Sequence, residues 1–402
     1  SQFVMIIFSL KRHLIYHLKH CLKPLFILVA TAILVTGCSG EAEKKRQSLK
    51  LLADADDQFA NASLDKPIIF PQAHAPKKAY RQEWWYLTAM LTTEDGQSLA
   101  SQWTLFRRAV GDKHWYFAHA ALADANNHSA AYRNGREELG NVNITTEPFN
   151  ATIDDWRWQS TSNLLPASLV YGSAVGSINS AIDASELGEV TNDAPHDATK
   201  AVVAKQSNWQ VELKLATTAK YFLQGDNGFS IKHPNLNIAS HYYSQPFIDV
   251  TGKVYWQGKW HKVTGTAWFD REWASQMLGQ DQQGWDWFSL RLNENTALML
   301  FRVRSDQKNY FYASIMSRNG EIRSIASSDI NLISHHNNTT SDSPYPQSFS
   351  LAISKEDINL KVEVINEQQI MRFGIEYFEG MVRFSGSHQG EGFVEMTGYS
   401  DK

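Results

Sequence analysis

Cysteine is almost missing from this chain: there are two, Cys21 and Cys38, in 402 residues. Beyond position 38 no thiol remains for a disulfide, a catalytic nucleophile or a thiolate-bound metal. A net charge of one sign is missing too. Lys and Arg total 38 against 42 Asp and Glu, a balance of −4 with a pI near 6.4, which leaves no basic footprint for nucleic acid. Long apolar runs are absent, and the best of them, residues 25–35, is too short to span a bilayer. No Gly-x-Ser-x-Gly elbow and no His-Glu-x-x-His pair occurs. That speaks against serine-hydrolase and zinc-peptidase chemistry, and neither a metal nor a cofactor is expected. Sustained helical periodicity is lacking after residue 66, which excludes a helical bundle.

What is present begins with a targeting pattern. Lys11, Arg12, Lys19 and Lys23 precede the apolar run, which ends in Val35-Thr36-Gly37-Cys38. A basic stretch, a short apolar core and small residues before a Cys read as a lipoprotein leader over 1–37. Cys38 is then the lipidated residue, and two acyl chains there anchor stably to a membrane. Ser39 rather than Asp after it favours the outer membrane, on the periplasmic side of the cell envelope. Residues 38–66 are charged and small, including Glu41, Glu43, Lys44, Lys45, Arg46 and Asp54 to Asp57, and read as a tether with a short helix.

From residue 67 the period changes to two. Strand-like runs appear at 84–91, 99–107, 114–122 and 209–216. After Asp249 they recur at 253–260, 262–273, 285–292, 297–304, 309–317, 348–353, 360–365, 377–385 and 392–399. Asp95-Gly96, Thr251-Gly252, Asn293-Glu294-Asn295 and Arg318-Asn319-Gly320 read as hairpin turns. Many short strands without alternating helices predict antiparallel barrels or sandwiches. The expected division is an N-terminal barrel over 67–250, with an Ala/Ser/Asn-rich insertion at about 160–205, and a C-terminal barrel over 251–402.

The chain has 13 Trp, and several stand beside acids. In Glu83-Trp84-Trp85-Tyr86-Leu87, Glu83 shares a strand face with Trp85. In Trp268-Phe269-Asp270-Arg271-Glu272-Trp273, period two puts Trp268, Asp270 and Glu272 on one face and Phe269, Arg271 and Trp273 on the other. In Trp285-Asp286-Trp287-Phe288, Asp286 falls on the core stripe with Phe288 and Leu290 and needs a partner, for which Arg271 and Arg291 are at hand. His119 follows Trp115 and Phe117 on one face. Each group has a plain structural role open to it, as a buried Asp–Arg pair or a satisfied core His. Together they are also the equipment of acid catalysis in an apolar cavity. A carboxyl desolvated by indoles keeps its proton near neutrality, and aromatic faces stabilise a developing carbocation.

These segments carry a resemblance. Glu83-Trp84-Trp85-Tyr86, the His119 strand, Ser240-His241-Tyr242-Tyr243-Ser244, the stretch from Gly265 to Trp273, Gly284-Trp285-Asp286-Trp287-Phe288, Tyr377-Phe378-Glu379-Gly380 and Gly392-Phe393-Val394-Glu395 occur in this order. In this the chain resembles the family of carotenoid 1,2-hydratase (hydroxyneurosporene synthase) and AttH-like secreted proteins. The resemblance implies an all-β fold of two tandem lipocalin-like antiparallel β-barrels. It also implies an apolar, isoprenoid-like ligand between them and a hydratase, hydrolase or isomerase activity. Fungal members steer pericyclic cyclisations, and many bacterial members are described as secreted hydrolases accompanying an ABC-type transport system with a permease partner. By this resemblance Asp270 is the proton donor, supported by Glu83 and His119, with Trp85, Tyr243, Trp273, Trp285 and Asp286 around the ligand. Arg271 stands where many relatives carry His. Three readings stay open: an acid-catalytic enzyme, a non-catalytic carrier or transporter accessory, and carbohydrate binding or cleavage by paired carboxylates.

Overall fold

The structure, a computed structural model, describes residues 52–54, 58–173, 208–336 and 343–399. The expected leader, Cys38 and residues 174–205 of the expected insertion lie outside the described residues. No helix among the described residues is long and apolar enough to cross a membrane.

Two antiparallel sheets account for the body. The first runs from His128–Gly135 through Lys113–Ala123, Ser98–Val110, Gln82–Thr93, Lys259–Ala274, Ala239–Trp256 and Gln210–Ala216, then through Ala167–Gly172, Trp156–Ser160 and Phe149–Ile153 to Val142–Thr146. Its first strand touches Phe149–Ile153 near the other end, so the sheet curls almost shut. The second sheet is a half-barrel, ordered from Ile322–Ile325 through Tyr310–Ser317, Thr296–Ser305, Gln282–Asn293, Gly390–Thr397, Ile375–Gly386, Ile358–Val364 and Ser348–Ile353 to Asn331–His335. These are the two tandem lipocalin-like barrels that the sequence implied.

Patterning explains both the agreement and the misses. In Phe149–Ile153 and Trp156–Ser160, Phe149, Ala151, Ile153, Trp156 and Trp158 are buried while Asn150, Thr152, Arg157 and Gln159 face outward. Such alternation over five residues is too short to stand out, and these strands were not expected. Ala167–Gly172 was placed within the insertion, yet it pairs with Gln210–Ala216 in the first sheet. The stretch expected as tether packs from Leu52 onward. Leu52 and Ala53 are buried between the sheets, and the Leu52 carbonyl accepts from the Met277 and Leu278 amides at 2.9 and 3.2 Å.

The turns at Asp95-Gly96, Asn293–Asn295 and Arg318–Gly320 join strands as expected. The turn at Thr251-Gly252 does not exist. Gly252 lies within Ala239–Trp256, where a Cβ would run into the Glu212 carbonyl of the adjacent strand. That close approach, rather than a reversal, is what requires glycine. The chain reverses later, at Gln257 and Gly258, with φ of 51° and 87°. The expected division between 250 and 251 therefore falls inside a strand. The hairpin of Ala239–Trp256 and Lys259–Ala274 belongs wholly to the first sheet, and the second begins at Gln282.

Three apolar layers result. One fills the first barrel and includes Trp85, Trp103, Trp158 and Phe269. Another fills the second with Phe288, Leu300, Phe349 and Phe378. The third lies between the sheets and includes Tyr86, Tyr242, Trp268, Trp287 and Phe301. Gln82–Thr93 and the second half of Lys259–Ala274, from Ala267 on, divide their side chains between the first and third layers, so both faces are largely buried there.

Candidate active site

The register of the central strands decides which acids meet. Asp270 stands opposite Tyr86 on one neighbour and Ser244 on the other, and Glu272 stands opposite Trp84 and Tyr242. All of these face the layer between the sheets. The Asp270 carboxylate accepts from the Tyr242 hydroxyl at 2.7 Å and from the Trp268 indole N–H at 2.8 Å. The Trp287 indole in turn donates to the Tyr242 oxygen at 3.2 Å, bringing the second sheet into the same chain. Asp270 is 3% exposed, and no basic side chain pairs with it among the described residues. Burial pushes its pKa up to about 7. The Ser244, Tyr242 and Trp268 donors pull against the rise, and neighbouring Glu272 adds to it. Glu272 has its own partners, Lys232 at 2.7 Å and the Ser240 hydroxyl.

The second sheet contributes two acids to the same layer. Glu379 and Glu395 are directly opposed on adjacent strands, which puts their Cβ atoms roughly 5 Å apart. Glu379 is fully buried in the layer and Glu395 is half-buried, and neither forms an ion pair among the described residues. Burial first, and the Glu395 carboxyl second, hold Glu379 well above the ordinary carboxylate range. Burial pushes Glu395 to about 7, although the Trp285 indole donates to it at 2.6 Å. The sequence held a signal for these acids: Glu379 interrupts the run from Tyr377 to Val382, and Glu395 the run from Phe393 to Met396. Next to Trp268 lies a cavity of about 30 Å³, lined by Thr88, Thr266, Trp268, Ser289, Arg291 and Phe393 among others. It has room for a water molecule.

The other expected site residues do not gather around Asp270. Glu83, Trp85, Tyr243 and Trp273 project from the opposite face, into the first barrel. There Glu83 is pinned between Arg107 and Arg271 and accepts the Lys77 amide at 3.0 and 2.8 Å. Burial presses its pKa upward, but the two guanidiniums prevail and hold it below the usual range. Arg271 stacks on the Trp85 ring at 3.9 Å, with Trp273 at 5.0 Å, and the Tyr243 hydroxyl bonds to His74 Nδ1 at 2.6 Å. Period two enforces the separation: a residue one position along a strand from Asp270 cannot share its face.

His119 does share the face, but it stands three strands away along the row His119–Thr104–Tyr86–Asp270, roughly 14 Å by strand spacing. Its Nδ1 meets the Tyr377 hydroxyl at 2.9 Å, and burial lowers its pKa to about 3. It is therefore neutral and braces the two sheets. Asp286 lies on the far side of the second sheet. It pairs with Arg302 at 2.6 Å and Arg304 at 3.8 Å, not with Arg271 or Arg291. Trp285 is in the layer, through its bond to Glu395.

Two tandem antiparallel barrels with a layer of buried carboxyls between them define a double-barrel protein of lipocalin-like type. The family follows from comparison: the AttH-like family model matches residues 61–399, and the chain belongs to the AttH-like family. Among solved structures, AttH from Nitrosomonas europaea is 27% identical, covers 85% of this chain and all of its own, and superposes with a TM-score of 0.68. Kievitone hydratase from Nectria haematococca, at 16% identity, covers 85% of this chain and 97% of its own with a TM-score of 0.60. CghA in complex with Sch210972, at 12%, covers 88% and 97% with a TM-score of 0.51. The last two show the likeness of fold. A search of curated protein sequences finds no match.

Proposed function

We propose that this protein is an acid catalyst of the hydratase type, acting on an apolar, isoprenoid-like molecule admitted between the two sheets. One observation carries the reading: Asp270 is buried among indoles and phenols with no cationic partner among the described residues, and burial pushes its pKa to about 7. A structural acid in this protein looks different, as the two guanidiniums on Glu83 show. In the proposed step the Asp270 carboxyl gives its proton to one carbon of a double bond. The cation that forms on the other carbon faces the π-systems of Trp268, Trp287 and Tyr86. A water then adds its oxygen there and returns a proton to the Asp270 carboxylate, so the acid is restored. The hydratase name of one structural neighbour agrees with this reading. The cavity of about 30 Å³ beside Trp268 is too small for the substrate, so admission requires the sheets to part.

The test starts with the protein purified from its native envelope, followed by organic extraction and mass spectrometry of whatever it carries. The extracted compound is incubated in ¹⁸O-water with the parent protein and with Asp270→Asn. Label is expected in the product with the parent, and a rate lower by on the order of 10²–10⁴-fold in the variant. If parent and variant both return the compound unlabelled and unchanged, the protein is a carrier and the catalytic reading fails. The lipid anchor on Cys38 and a permease partner belong to this proposal as its setting in the envelope. Loss of palmitate labelling in Cys38→Ser is the expected sign of the anchor.

A further inference from the structure

Beside Asp270 lies a group of buried polar atoms that the proton-donor role does not use. Tyr86 faces Thr104 across one strand pair, and Thr88 faces Gln102. Gln102 and Thr104 are two residues apart and so share the face. Glu379 reaches this group from the second sheet, close enough to the Tyr86 hydroxyl and the Gln102 amide for both to act on its carboxyl. All four side chains are 5% exposed or less. Yet Tyr86 Oη, Gln102 Oε1 and Nε2, Thr104 Oγ1 and both Glu379 carboxyl oxygens complete no well-aligned hydrogen bond. The contrast with the adjoining row is sharp, because Asp270, Tyr242, Trp268 and Trp287 are bonded to one another there. Buried polar atoms left unmatched are costly, and a folded protein seldom gathers several in one place without a ligand for them.

We propose that Tyr86, Gln102, Thr104 and Glu379 form a polar subsite that binds a neutral hydroxyl group of the ligand. The ligand is then an alcohol- or phenol-bearing apolar molecule, not a plain hydrocarbon. This deepens the acid-catalyst reading and rests on it for the location of the reacting bond. The atom types select the hydroxyl. The subsite offers donors (the Gln102 amide N–H and three hydroxyl groups when Glu379 is protonated) together with acceptors (the Gln102 carbonyl and the Glu379 carboxyl). A hydroxyl both donates and accepts, so it can use this mixed set. An ammonium group would leave the donors unmatched, and an anion would meet Asp270, Glu272, Glu379 and Glu395. A hydrocarbon would satisfy none of them. Tyr86 is one strand and Thr104 two strands from Asp270, so the hydroxyl sits roughly 5–10 Å from the acid. Beyond Thr104 the row reaches His119, whose bond to Tyr377 ties the two sheets together on that side.

The experiment titrates the full chain with farnesol and with farnesene, read by quenching of intrinsic Trp fluorescence. Farnesol is expected to bind at least about tenfold tighter, because the hydroxyl fills partners the hydrocarbon leaves empty. In the double variant Gln102→Met, Thr104→Val the farnesol affinity should fall to that of farnesene, with farnesene binding unchanged. Equal affinities in the parent, no farnesol binding, or a preference that survives in the double variant overturns the proposal. If the double variant loses farnesene as well, its fold has been damaged. The isosteric Thr104→Val alone must then weaken farnesol selectively, and failure to do so overturns the proposal too. Asp270→Asn separates the two readings. A farnesol preference kept in that variant, with no hydration of any extracted compound by the parent, sinks the catalytic reading and leaves the subsite. Hydration that depends on Asp270, with no farnesol preference, does the reverse.

Discussion

Glu83 and Asp270 stand on neighbouring strands of one sheet, both buried, and their pKa values are shifted in opposite directions. Burial is the largest influence on each, and it pushes both pKa values upward. For Glu83, Arg107 and Arg271 reverse that push, and the carboxylate stays ionised inside the first barrel. Asp270, on the other face, meets only neutral donors, and burial wins. The comparison teaches that desolvation alone does not make an acid catalyst or a strut. The counter-charge decides, and the alternation of the strand decides which acid receives one.

The largest effect should come from breaking the strut. Arg271→Leu strands an ionised carboxylate in the first barrel, and we predict a loss of about 3–5 kcal/mol in urea unfolding. A loss under about 1 kcal/mol would show that Arg107 and the Lys77 amide suffice for Glu83. Asp270→Asn should break the comparison from the other side, lowering activity while leaving stability intact or improved.

The pH dependence of the two acids should have opposite sign. Glu83 has a folded pKa below its ordinary value. Its stabilisation is complete above the ordinary carboxylate range and is lost as pH falls through the folded pKa. Asp270 is raised from 3.8 to about 7. The unfolded chain therefore releases that proton first, and folding is penalised progressively as pH climbs between those values. The penalty is complete above about 7. Urea midpoints across this range should show Asp270→Asn gaining on the parent as pH rises, with no gain near pH 3. Glu83→Gln should instead lose most at neutral pH. Parallel profiles would mean that the two acids share one charge state.

A smaller effect sharpens the picture within the site. Trp285→Phe removes the N–H that meets Glu395 at 2.6 Å, and should cost about 1–2 kcal/mol by unfolding. It should also move the Glu395 carboxyl further up, visible as a shift of its C=O band in infrared titration. An unmoved band would assign that carboxyl's state to burial and to the neighbouring Glu272 and Asp270 carboxyls.

Much of this was legible in the sequence, and the limits have physical causes. The strands with long alternation, the turns at Asp95-Gly96 and Arg318–Gly320, and the two faces of residues 268–273 could all be read directly. So could the burial of Asp286 and its need for an arginine, but not that the arginine is Arg302. Partner identity depends on which strands become neighbours, and the pairing of Gln282–Asn293 with Thr296–Ser305 is a tertiary fact. The placement of Glu83, Tyr243 and Trp273 around Asp270 failed because sequence proximity and shared motifs do not outrank period two. Glu379 and Glu395 were missed because two acids on different strands form a pair only in register. Gly252 was misread because glycine serves a close backbone approach as readily as a turn.

The layer between the sheets also has a history in the order of synthesis. Translation from the N-terminus delivers every strand of the first sheet before Gln282, and the strands that bear Glu379 and Glu395 come last. Until the strands from Gln282 onward arrive, Tyr86, Tyr242 and Trp268 lack the cover that Trp287 and Phe301 supply, and the Asp270 carboxyl is in water, an ordinary ionised aspartate. Its retained proton is thus conferred by the second sheet. A nascent or truncated product would present a sticky aromatic face without a competent acid behind it. Arrival of the second sheet is what arms the residue.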